Sequence, residues 1–228
     1  QLLYYHAAAH GDGPWMLQTT GVPKAGANAS CAGACGATVR VVKTALAEEV
    51  HQTFGGDGWV RQVIRLVRGS NSAEFEWSVG PVPFHDGGKE IISRFTTDLD
   101  SGDTWLTDAN GREMMKRTRN HREQFAVNQS LPTTINFFPV QSALAVTDAG
   151  DQRRLTVMPD RSVAGASQES GSLELLIHRR LVGTDYDGFE PLNETQSALY
   201  DGDGNPVQRL GPGIVVRGVH QVLFGRAA

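Results

Sequence analysis

Glu74-Phe75-Glu76-Trp77-Ser78-Val79 alternates without a break: Phe75, Trp77 and Val79 point one way, and Glu74, Glu76 and Ser78 the other. That pattern predicts a strand with one face on a core and one face in water. Gly80-Pro81-Val82-Pro83 closes it, because proline cannot donate to a β ladder. Upstream, Val39 to Lys43 is short and β-branched, and Trp59 to Val67 mixes apolar and basic positions as a half-exposed strand does. Downstream, Glu90 to Phe95, Ala143 to Thr147, Arg154 to Met158, Leu173 to Leu181 and Ile214 to Leu223 continue the series. The turn dipeptides Asp86-Gly87, Asn110-Gly111, Asp187-Gly188 and Asp201-Gly202 punctuate it. The stretch from Arg112 to Arg122 reads as a helical turn or two, with its charges not gathered on one face. Short strands at close spacing predict an all-β chain folded as an antiparallel β-sandwich.

The 228 residues give room for one large β domain or two small domains, and 39% hydrophobic content is enough for a core. With 20% charged residues and a net charge of −4, the chain lacks the basic face of a nucleic-acid binder. No apolar run approaches the roughly eighteen residues a membrane helix needs. Residues 1–38, rich in Ala and Gly, read as a partial strand pair plus a loop, and residues 39–228 as the sandwich itself. The start at Gln1, with no signal pattern before the first strand-like run, implies that a leader was removed or that the chain was cut from something longer. A partial strand pair over 1–38 is what a cut through a sheet would leave, an incomplete sandwich.

Cys31 and Cys35 are the only cysteines; they form a loop disulfide or stay as free thiols, and they fall short of the four ligands of a zinc site. Three N-x-[S/T] sequons, at Asn28, Asn128 and Asn193, lie in polar, turn-like contexts and suit passage through a secretory lumen. His6 and His10 have ligand spacing on a helix, yet Ala7 stands where a zincin needs Glu. Asp201-Gly-Asp203-Gly-Asn205 imitates a calcium loop but carries Pro206 and Pro212 at decisive positions, so it reads as a solvated hairpin turn. Glu74 and Glu76 share one strand face and read as solvated surface rather than as a glycosidase pair. His178-Arg179-Arg180 is more informative. It ends an apolar strand, where loops build sites, and arginine forks suit carboxylates or paired sugar hydroxyls. A salt bridge to an acid such as Asp185 is the competing reading.

Read in series, several stretches resemble the lysosomal-type α-mannosidases of glycoside hydrolase family 38. They are Glu49 to Phe54, Glu74 to Pro83, Gly88 to Phe95, Thr107 to Glu113, the Asn128 sequon, Leu155 to Ser162 and Gly171 to Leu181, in the family's order. The resemblance implies the galactose-mutarotase-like super-sandwich of the family's C-terminal region. It also implies that the whole protein is a zinc-dependent retaining exo-α-mannosidase acting on mannose-containing glycans. The zinc ligands, nucleophile and general acid would lie in an N-terminal barrel and helical bundle, the partners of this chain, which itself would hold no cofactor. By the same resemblance Arg179 or Arg180 reaches substrate hydroxyls. Trp15 falls where the family has a tyrosine, keeping a stacking face but only a donor N–H. The location implied is lysosomal, vacuolar or secreted, and a homodimer stays open. The rival expectation is a non-catalytic carbohydrate-binding or interaction sandwich.

Overall fold

A computed structural model describes residues 1–7, 17, 19–25, 37–54, 58–83, 87–127, 130–131, 133–150, 152–181, 192–203 and 206–226. In chain order the strands are β1 (Leu2–Ala7), β2 (Thr19–Ala25), β3 (Thr38–Lys43), β4 (Ala47–Phe54), β5 (Val60–Val67) and β6 (Ala73–Val79). Next come β7 (Lys89–Thr96), β8 (Thr104–Asp108), β9 (Met114–Thr118), β10 (Phe138–Val140), β11 (Leu144–Thr147) and β12 (Arg153–Pro159). The last are β13 (Val163–Ala166), β14 (Ser172–Arg180), β15 (Thr195–Tyr200), β16 (Pro206–Gly213) and β17 (Val216–Arg226). A single 3-10 turn, Thr134–Asn136, is the one helical element among the described residues.

The strands pair antiparallel into a six-stranded sheet, β10-β13-β14-β7-β1-β2, and a nine-stranded sheet, β3-β4-β5-β6-β17-β12-β11-β8-β9. The strands β15 and β16 form a separate hairpin whose turn carries Asp201 and Asp203, as the sequence predicts. The fold is therefore the expected all-β antiparallel sandwich. Alternation places Trp77 and Val79 inward, and both are buried. They meet Leu2, Tyr4, Ile91, Leu173 and Leu175 of the six-stranded sheet in the main core. Phe75, Phe95 and His220 extend that core as an edge-to-face aromatic cluster.

The helical reading of Arg112 to Arg122 is overturned. Residues 114–118 form strand β9, pairing Arg117 with Trp105 and Met115 with Thr107 of β8. At this sheet edge one side needs no apolar partner, so the segment carries no clear period of either kind. What makes it a strand is the tertiary offer of β8, and no local propensity announces that.

Candidate functional site

One end of the six-stranded sheet gathers the charged residues that the sequence singles out. β1, β7 and β14 lie side by side, so His6 sits opposite Lys89 and Lys89 opposite Arg180; on the other face Tyr5 sits opposite Glu90 and Glu90 opposite Arg179. This arrangement depends on an irregularity. The register shifts between Leu176 and His178, so Ile177 is an extra residue in β14. Without it Arg179 would face Lys89; with it Arg179 lands on Glu90.

Arg179 grips Glu90 with both edges of its fork: Nε donates to Oε2 at 2.7 Å and Nη2 to Oε1 at 2.7 Å. Glu90 is fully buried, so the pair is a bidentate bridge in a dry layer. The salt-bridge reading of the cluster thus finds its acid at Glu90; Asp185 lies outside the described residues. Arg180 points to the opposite face, where Nη1 donates to the Val82 carbonyl. Its guanidinium lies against the backbone of Gly213, where a Cβ would come within 2.6 Å of Nη1. Burial lowers its pKa.

Lys89 is buried as well, and its ammonium donates to the carbonyls of Pro83 (2.9 Å) and Gly87 (3.3 Å). The turn that supplies Val82 and Pro83 begins at Gly80, whose φ of 120° and close approach to the Ile214 carbonyl admit only glycine. His178 completes the cluster. Its Nε2 is buried with no hydrogen-bond partner, and burial lowers its pKa, partly countered by a hydrogen bond with the Ile214 backbone and reinforced by Arg180.

Further along the same outer face, Tyr5 donates to Glu174 Oε2 at 2.8 Å, and Arg94 donates to Glu174 Oε1 through Nε at 2.7 Å and through Nη2. Burial raises the pKa of Glu174 despite Arg94, and burial with the Glu174 charge raises that of Tyr5. Sequence reading missed Glu90, Glu174, Lys89 and Arg94. One signal was available: Glu174 interrupts the apolar run Leu173 to Ile177, and a carboxylate inside such a run needs a cation.

The other sequence candidates fall elsewhere. Trp15, Asn28, Cys31, Cys35, Asn128 and His10 lie outside the described residues. Asn193 is described, and its Oδ1 is buried without a hydrogen-bond partner. Glu74 and Glu76 both reach Arg65, which also takes Glu49 at 2.6 Å, so they belong to a surface ion cluster. Among the described residues, no three His, Cys, Asp or Glu side chains come together as a metal site.

Residues 1–187, which carry this sheet end and its arginines, match the glycosyl hydrolases family 38 C-terminal domain. The chain belongs to glycosyl hydrolase family 38. Among the relatives of this family 38 chain, the lysosomal alpha-mannosidase of Cavia porcellus is 44% identical over 192 residues, 84% of this chain and 17% of the relative. The lysosomal alpha-mannosidase of Homo sapiens is 44% identical over 193 residues, and the alpha-mannosidase of Canavalia ensiformis is 38% identical over 157. The chain thus spans about a sixth of the length of these relatives, 16–17%. A solved family 38 protein from Enterococcus faecalis superposes on 99% of this chain and 26% of its own, with a TM-score of 0.59 at 11% identity. That likeness shows the shared fold.

Proposed function

We propose that this chain is the β-sandwich part of an α-mannosidase that removes terminal α-D-mannose from N-glycan oligosaccharides. In this reading the sheet end around Arg179 and Arg180 forms one wall of the sugar site. The observation that carries it is the 44% identity to lysosomal alpha-mannosidase across 84% of the chain. The geometry supports the wall: Glu90 fixes the Arg179 fork in one orientation, so that ordering the side chain is not left to substrate binding. Trp15 would add a stacking face and one N–H donor.

The reaction retains anomeric configuration and needs zinc, which when bound holds mannose hydroxyls. Its ligands, the nucleophile and the general acid belong to an N-terminal barrel and helical bundle outside this chain. The protein works in the lysosome and carries glycans at its sequons. The test is kinetic, in the full-length enzyme: Arg179→Ala and Arg180→Ala, each checked for an intact fold. Loss of one charge-assisted bond to substrate, worth about 1.5–3 kcal/mol, lowers kcat/KM tenfold or more for at least one of them. Unchanged kinetics for both would remove the wall from this site.

A further inference from the structure

At the far edge of the nine-stranded sheet, two guanidiniums crowd one aromatic ring. Arg117 Cζ lies 4.3 Å and Arg122 Cζ 3.6 Å from the centroid of Phe138. Neither arginine has a carboxylate partner among the described residues. Arg117 donates through Nε to Thr107 Oγ1 at 2.9 Å; Arg122 reaches only the Phe137 carbonyl at 3.5 Å, and its Nη1 is buried without a partner. Burial lowers the pKa of both, and Arg117 lowers that of Arg122 further. Four other half-buried arginines, Arg65, Arg94, Arg119 and Arg179, each have an acid.

Both guanidiniums and the Phe138 ring line a cleft of about 90 Å³, room for a small ion with its water. Lys116, His121 and Glu123 also line it. The two guanidiniums meet the ring with no carboxylate paired to either among the described residues, which leaves two positive charges for a ligand to cancel. A carboxylate ligand cancels one; a phosphate or sulfate cancels more and offers oxygens to both forks. We propose that this cleft is an oxyanion site for a phosphate or sulfate group, free or carried as an ester on a larger ligand. The cleft lies between the β9 edge of one sheet and the β10 edge of the other, and it shares no residue with the sugar wall on β7 and β14.

The experiment is calorimetric titration of the full-length protein with inorganic phosphate, sulfate and a hexose phosphate, at constant ionic strength, with acetate and chloride as controls. Saturable binding of phosphate or sulfate, and not of acetate or chloride, is the expected result. Tighter binding of the hexose phosphate identifies an ester as the ligand; weaker binding identifies the free ion; both support the site. Arg117→Met and Arg122→Met keep the stem over Phe138 and should each weaken binding about tenfold or more. Should either fail to fold, Lys116→Gln, on the exposed rim, should weaken binding several-fold. Saturable binding by none of the three anions, equal binding by the controls, or unaltered affinity in the folded variants would overturn the proposal.

Discussion

His220 sets a limit on how acid a medium the sandwich tolerates. It sits on β17 in the centre of the core, fully buried, between Trp77 and Phe95. Trp77 Nε1 donates to its Nε2 at 3.2 Å, and an indole N–H can only donate. The imidazole must therefore be the neutral Nδ1–H tautomer, and protonating Nε2 would set two donors against each other. Burial pushes its pKa down from 6.5 to about 4, with Asp160 acting upward and Arg161 downward. Below the unfolded value the denatured chain takes a proton that the folded one refuses. Stability is therefore full at neutral pH, falls from about pH 6.5, and levels off below about pH 4. The whole effect is about 3 kcal/mol, of which about 2 kcal/mol is lost between pH 7 and 4.5.

The comparison is His220→Gln, whose amide oxygen can accept from Trp77 and whose side chain does not titrate. Urea unfolding followed by tryptophan fluorescence, at pH 7 and at 4.5, gives a stability difference for each protein. Other titrating groups contribute equally to both, so the difference of differences isolates His220. It should be smaller in the variant by about 2 kcal/mol, whatever the variant loses at neutral pH. Equal pH dependence in the two proteins would refute the assignment of a neutral, proton-refusing His220.

Gly218 is the floor on which Trp77 lies, since a Cβ there would stand 2.4 Å from Cζ2 of a ring that is 1% exposed. Gly218→Ala should destabilise by about 1–3 kcal/mol, read as a lower Tm. Asp108 is buried and ties the β8–β9 turn to the β10–β11 loop, accepting from the backbone N–H groups of Gln141, Ser142 and Ala143 on Oδ1 and of Gly111 on Oδ2. Burial alone would raise its pKa, but these bonds outweigh it and lower it. Asp108→Ala should therefore lose about 3 kcal/mol or more in denaturant unfolding. The charge-dependent part of that contribution is full above the usual carboxylate range and is lost as the pH falls from the usual value to the lowered one. Arg94→Leu strands the buried Glu174 carboxylate with Tyr5 alone and should lose about 3–5 kcal/mol, whereas Tyr5→Phe, which leaves the ion pair intact, should lose about 1–3 kcal/mol in the same assay.

Much of this architecture was legible because its cause is local. The alternation of Glu74 to Val79 marks a sheet with one wet face, and the structure puts Trp77 in the core and Glu74 on Arg65. The Asp201-Gly-Asp203 turn shows in its own residues. What escaped the sequence has distant causes. β1 lies between β2 and β7, and Leu2 pairs with Ser93, far along the chain, so nothing near Leu2 announces its place. β9 is extended because β8 offers it hydrogen bonds. The extra residue at Ile177 has no turn dipeptide or glycine to betray it, yet it moves every later side chain of β14 to the opposite face. The cluster His178-Arg179-Arg180 could be found from sequence; which arginine meets which partner could not.

That extra residue gains its meaning from how the six-stranded sheet is buried. Leu2 to Tyr5, Lys89 to Ser93 and Ser172 to Leu175 are buried without interruption, on both faces of their strands. One face meets the nine-stranded sheet; on the other, Leu3, Tyr5 and Ile92 form a second core with Phe137 and Leu176. A sheet dry on both sides cannot leave a carboxylate to water, so each of its acids must find a cation in the sheet itself. Glu174 finds Arg94 directly across the ladder, and Glu90 finds Arg179 only because Ile177 shifts the register. Apolar residues in these places would hold the fold as well or better, since desolvating two charges offsets most of their attraction. What the ion pair adds is orientation: a guanidinium held at two points by an immobile carboxylate keeps one pose. Placed at the end of the sheet, beside the turn that binds Lys89 and Arg180, it gives the proposed sugar wall a donor that need not be ordered by the ligand.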